Sequence, residues 1–174
     1  MRLKSVICAA AAVVVCFTAS ANAELHPQTI GLRFSGEAKL WGAELSYQKA
    51  LGETNRLELG LLYGERDYKG CNGTIYGIAV AYQWHVPFEN PAGFAWYVGP
   101  AASAFTFICN WGNHNPRQNA GVGAQIGVDY DLQTTNSIPM VISLDARPII
   151  SFLDMKDGGT DFLWGISAGV RYLF

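Results

Sequence analysis

From Glu24 onward, apolar residues recur at every second position between turn signals, which is the period of a strand with two unlike faces. No convincing helical period competes with it. The alternation predicts eight strands in one domain, over 28–35, 40–51, 56–68, 74–86, 94–107, 118–131, 138–151 and 162–174. Most are long enough for a tilted transmembrane strand, which needs about ten residues, whereas soluble strands average five or six. One face gathers Ile30, Leu32 and Phe34, then Leu45 and Tyr47, then Leu57, Leu59, Leu61 and Tyr63, and so on to Val170, Tyr172 and Phe174. The opposite face gathers Arg33, Glu44, Glu58, His85, Asp129, Asp145, Arg147 and Arg171 with Gln48, Gln83 and Gln125, spaced by glycines.

Such an alternation serves two architectures. In a soluble lipocalin-like barrel the apolar face points inward, and in an outer-membrane barrel it points outward. Three features favour the membrane barrel. The polar face is rich in Gly, Ser, Ala and Gln rather than in the Lys and Glu of a solvated surface. Its charges balance in sign, as a narrow interior requires, because an unpaired buried charge is costly. Trp and Tyr lie near strand ends, where lipid headgroups would be. Pro100 conflicts with an unbroken fifth strand, since a closed barrel has no free edge, and a bulge or an earlier strand end is expected there.

The last strand sharpens the picture. It ends on Tyr172 and Phe174, two aromatics on one face with a terminal carboxylate, and resembles the closing strand of bacterial outer-membrane β-barrels, which the barrel assembly machinery reads as a signal. The whole series resembles the small outer-membrane β-barrel superfamily that includes outer membrane proteins A and X. That resemblance implies an all-β, eight-stranded, antiparallel up-and-down transmembrane barrel. It further implies a monomer among outer-membrane lipid and lipopolysaccharide, with an internal ion-pair network plugging the lumen. With both termini periplasmic, 52–55, 87–93 and 132–137 become periplasmic turns, and 36–39, 69–73, 108–117 and 152–161 become short outer loops.

The amino-terminus agrees with export. Arg2 and Lys4 precede an apolar run over 6–17, and Ala21-Asn22-Ala23 forms a small-residue cleavage site, so residues 1–23 read as a cleaved signal peptide and 24–174 as the barrel domain. The run is shorter than the roughly twenty residues of a membrane helix. Loss of Arg2 and Lys4 leaves 10 basic against 14 acidic residues, a mature formal charge of −4, which argues against nucleic acid as a partner. Charged residues are only 15% of the chain, below the usual quarter.

Candidate chemistry is sparse. Cys71 and Cys109, the cysteines left after cleavage, fall in neighbouring outer loops and are expected to form a disulfide. Counted from the loops, Arg33, Glu44, Asp145 and Arg147 fall in the outer half of the lumen and Glu58, His85, Asp129 and Arg171 in the periplasmic half, each set able to pair internally. Some barrels of this class modify lipid A, including an acylhydrolase that uses His, Ser and Glu. Here His114 stands between Asn113 and Asn115 without the His-x-Ser-Asn arrangement of that enzyme, and neither His26 nor His85 has a serine at triad spacing. No catalytic, cofactor or metal site is expected. Asp154, Asp157 and Asp161 read as a solvated loop, and Tyr68, Phe107, Asn110 and Trp111 are the candidates for surface contact. A lipid-modifying enzyme and a soluble ligand-binding barrel remain the alternatives to a structural or surface-interaction role.

Overall fold

The computed structural model describes residues 25–37, 40–68, 71–109, 116–151 and 161–174. The expected signal peptide lies outside them, as do Asn110, Trp111, His114, Asp154 and Asp157. The strands are β1 (Gln28–Glu37), β2 (Leu40–Ala50), β3 (Asn55–Tyr68), β4 (Cys71–Pro87), β5 (Phe94–Cys109), β6 (Arg117–Asp131), β7 (Met140–Ala146), β8 (Ile149–Ser151), β9 (Asp161–Leu163) and β10 (Ile166–Leu173). Two pairs of them, β7 with β8 and β9 with β10, are single barrel strands interrupted by two residues, so ten segments build eight staves. Neighbours run antiparallel, and β1 pairs with β10 from Thr29↔Leu173 to Gly36↔Ile166, closing the ring. The eight predicted strands are all present, although Cys71, Cys109 and Asp161, assigned to the second, third and fourth outer loops, already belong to β4, β5 and β9, because the strands run on past the turn residues that marked their ends.

Closure brings the termini together: the amide of Phe174 donates to the carbonyl of Gln28 at 3.2 Å. At the seam, Gly31 lies so near its neighbour that a Cβ would stand 2.1 Å from the Val170 carbonyl. Only glycine allows the first and last strands to meet there. A five-residue helix, α1 (Leu132–Asn136), forms one turn at the terminal end, with Asp131 accepting from the amides of Gln133 and Thr134 as its N-cap. Five residues are too few to show a helical period, so the alternation gave no sign of it.

Pro100 requires neither a bulge nor a shortened strand. On the β4 side the register is the same below and above it, Trp84↔Val98 and Ala81↔Ala101, with only the pairs between them lost. On the β6 side Pro100↔Ala124 continues an unbroken ladder. The missing donor thus falls where the ladder lapses locally. Gly99 compresses the same spot, where a Cβ would meet the Tyr82 carbonyl at 1.8 Å. Pro148 acts more strongly and divides β7 from β8, yet Ala146↔Ile126 and Ile149↔Gly123 keep one register with β6.

Burial is inverted relative to a water-soluble barrel. The largest fully buried side chains include Arg33, Arg171, Tyr97, Gln83, Gln125 and Glu58, while Phe34, Leu61 and Ile78 are 58–60% exposed on the outer wall. Of the two arrangements that the alternation allows, this is the transmembrane one, and it excludes the lipocalin-like one. Rings cluster near both rims: Tyr63 meets Tyr76 edge-on at 5.4 Å toward the loops, and Phe94 stacks on Tyr130 at 4.5 Å toward the termini.

Candidate functional site: the lumen and its two mouths

Inward-facing residues of separate strands converge on one carboxylate. Glu58 on β3 accepts from Arg33 of β1 at 2.5 Å, from Arg171 of β10 at 3.2 Å and from Arg147, between β7 and β8, at 2.9 Å. The amides of Gln48 and Gln83 donate to it as well, at 2.5 and 3.2 Å. Above this hub Glu44 accepts from Arg33 and from Arg147, both at 3.0 Å. Arg33 also donates to Asp145, whose other oxygen accepts from the Tyr97 hydroxyl at 3.0 Å. Toward the termini Asp129 pairs with Arg56 at 2.6 Å and lies 3.6 Å from Arg171 and 3.7 Å from His85.

These contacts merge the two separate ion-pair sets expected from counting along the strands. Glu58, assigned to the periplasmic half, bonds Arg33 and Arg147 of the outer half. Counting fails because strands in a barrel are tilted and staggered, so equal counts on distant strands do not lie at equal heights. Four guanidinium groups, Arg33, Arg56, Arg147 and Arg171, face four carboxylates, Glu44, Glu58, Asp129 and Asp145. That equality leaves no net charge among them, and an uncompensated charge in a buried group is costly.

Two members were missed. Arg56 donates to Gln83, pairs with Asp129 and stacks its guanidinium 4.6 Å from the centre of the Tyr97 ring. Tyr97 itself is fully buried. Arg56 shares the parity of Glu58, so the signal was present at the first residue of the predicted third strand. Tyr97 sits between Trp96 and Val98, which carry the outward parity, and so it too could have been placed inside.

Beyond the charged layer, toward the loops, the interior changes character. Leu62, Ile75, Phe105, Ile149 and Leu163 line a cavity of about 120 Å³ with Glu44 and Arg147. At the opposite mouth His26, Arg56, His85, Asp129 and Asp131 share a second cavity of about 210 Å³ with Phe88 and Phe94. His26 contacts Asp131 there at 2.9 Å. Burial alone would raise the Asp131 carboxyl, but hydrogen bonds from His26, Thr134 and the Gln133 amide prevail and hold it below its ordinary value.

Among solved structures, the chain is similar to Neisserial surface protein A (NspA), with a TM-score of 0.57 and 18% identity over 84% of this chain and 95% of that one. It is also similar to the N-terminal β-barrel domain of Pseudomonas aeruginosa OprF, with a TM-score of 0.53 and 17% identity over 86% of this chain and all of that domain. The chain has the fold of the small eight-stranded outer-membrane β-barrels. No family model and no curated protein matches it.

The remaining predicted residues fall at the ends of this barrel. Tyr172 and Phe174 are more than half exposed on the outer wall of the closing strand. Phe107, offered as a surface contact, points inward and is buried, and the side chain of Tyr68 lies outside the described residues. Cys109 takes part in a disulfide. It is opposite Gly73, which puts Cys71 two residues further along the neighbouring strand, on the same face, with its side chain outside the described residues. Among the described residues no group of histidine, cysteine and acidic side chains could hold a metal ion.

Proposed function

We propose that the chain is an outer-membrane protein of a Gram-negative cell, exported by a signal peptide cleaved after Ala23 and inserted as a monomer. In this reading it has a structural or surface-interaction role and no catalytic one. The assembly machinery reads the Tyr172 and Phe174 end of β10. Outer-membrane lipid and lipopolysaccharide surround the apolar wall, and a Cys71–Cys109 bridge ties the β4–β5 hairpin at the cell surface. The lumen is plugged and does not conduct.

A single observation carries the reading: five donors from separate parts of the ring converge on Glu58 at the centre of the lumen. An eight-stranded barrel has an interior just wide enough for its own side chains. Here they are cross-linked rather than parted around a water path, and an apolar layer follows toward the loops. Two measurements test the proposal. Cell fractionation should recover the protein in the outer membrane with gel migration that changes on heating, and the purified protein in planar bilayers should give no discrete conductance steps. Recovery as a soluble periplasmic monomer, or stable single-channel openings, would overturn it.

A further inference from the structure

The cavity at the terminal mouth gathers polar atoms that the protein itself leaves unbonded. It runs from the exposed rim residues Phe88, Glu89 and Ala92 down to Arg56 and Asp129, which are 6% and 3% exposed. Arg56 donates through Nε to Gln83 and sets Nη1 2.6 Å from Asp129, yet its Nη2 has no acceptor. Asp129 has its charge matched by Arg56 and by Arg171 at 3.6 Å, but neither of its oxygens accepts a hydrogen bond. His85 lies 3.7 Å from Asp129 through Nε2, and its Nδ1 is also without a partner. Side chains of β3, β4 and β6 thus bring unbonded polar atoms to one space of about 210 Å³.

The chemistry of this space selects its occupant. Buried polar groups left unbonded are costly, so a molecule that completes them is favoured. An anion suits Arg56 but meets Asp129, Asp131 and Glu89 in the same lining, and a cation suits those carboxylates but meets Arg56. Arg56 needs an acceptor and Asp129 needs donors, so the occupant must offer both. Water does, and at about 30 Å³ per molecule in the liquid several fit here. The path also has an end. Arg171, beside Asp129, bonds Glu58 as well, and Ala81, opposite Glu58 on β4, is 1% exposed and packs with Ala101 and Ile149.

We propose that the terminal mouth is a vestibule of hydrogen-bonded water, which bridges Arg56, His85 and Asp129 and stops short of Glu58. The Asp129 end of the ion-pair network is then open to solvent exchange from one side, while the Glu58 end is held by protein donors alone. The dead end rests on the plugged lumen proposed above, and the water site does not.

The test is cross-relaxation between water and the methyl protons of the whole mature barrel in nanodiscs of dimyristoylphosphatidylcholine, with the protein deuterated except at its methyl groups. Contact is expected at Ala95, opposite Asp129, and at Val141, opposite Asp131, both of which line the mouth, and not at Ala81. Val141→Phe fills the space and should reduce the Ala95 contact to background; should it fail to fold, Ala95→Leu does the same for Val141. Contact that survives filling in a folded variant comes from exchanging side-chain protons and overturns the water site. A native mouth without water contact at Ala95 and Val141 also overturns it and leaves the plugged lumen standing. Water contact at Ala81 as strong as at Val141 sinks the dead end and the plugged lumen together.

Discussion

Glu58→Gln is the most demanding test of the lumen network, because it removes one charge and almost no volume. In the native barrel Glu58 is 1% exposed and bonds three guanidinium groups. Without its charge, Arg33 keeps Glu44 and Asp145, and Arg147 keeps Glu44. Arg171, equally buried, keeps the Ser46 hydroxyl at 3.3 Å but as carboxylate partner only Asp129 at 3.6 Å. One cation then stands uncompensated in the interior, and removing one partner of a buried pair costs about 3–5 kcal/mol. The glutamine carbonyl still accepts a hydrogen bond, which places the expected loss near the lower end, about 3 kcal/mol. Urea unfolding in phospholipid vesicles, followed by tryptophan fluorescence, measures it. The double variant Glu58→Gln with Arg171→Met restores the balance, so it should cost less than the sum of the single variants. A loss below about 1 kcal/mol for Glu58→Gln, or strict additivity in the double variant, would refute the claim that charge compensation at Glu58 holds the lumen together.

Three other outcomes follow from single contacts. Tyr97→Phe leaves an Asp145 oxygen without the donor it has at 3.0 Å, and the barrel should lose about 1–3 kcal/mol in the same urea assay while keeping its heat-dependent gel migration. Gly31→Ala should prevent closure, since its Cβ would meet the Val170 carbonyl at 2.1 Å, whereas Gly36→Ala on the same strand, where a Cβ meets nothing within 4 Å, should fold normally; equal gel migration of the two variants would refute the close-approach argument. Because the Asp131 carboxyl is held below its ordinary value near 3.8, its contribution is fully present above that value and is lost as pH falls through the lower folded value. The stability difference between the native chain and Asp131→Asn should accordingly shrink as unfolding is followed from pH 6 to pH 3, and a constant difference would refute it.

How much of this was legible in the sequence depended on whether position along one strand was sufficient. The side of the wall on which a residue falls is fixed by parity, so Ile30, Leu32 and Phe34 could be set outside and Arg33 inside from the alternation alone. The partner of Arg33 could not. It finds Glu58 two strands away through the tilt and stagger of the ring, which no single strand encodes. Pro100 shows a different limit: the rule against proline inside a sheet assumes that every pair in the ladder is needed, and here a lapse of two pairs between fixed registers satisfies it.

The apolar half of the lumen was hidden for a third reason, and it can be recognised in retrospect. At Leu61-Leu62 and Ile149-Ile150 both parities are apolar, so the alternation loses contrast and the inward members, Leu62 and Ile149, were assigned to neither face. The structure separates them: Leu61 and Ile150 are 60% and 53% exposed on the wall, while Ile149 is buried and Leu62 lines the cavity. Loss of contrast toward the loop ends is thus itself a signal. In a barrel whose interior is polar throughout, an apolar inward residue is a defect, because it offers nothing to the charged groups around it. Leu62, Ile75, Phe105 and Ile149 instead gather around one cavity, which Ser35, Ser103 and Ser167 line beside Glu44 and Arg147. Leu62 makes none of the hydrogen bonds that converge on Glu58, so Leu62→Trp should leave the cost of Glu58→Gln in the urea assay unchanged, and a difference above about 0.5 kcal/mol between the two backgrounds would refute that independence.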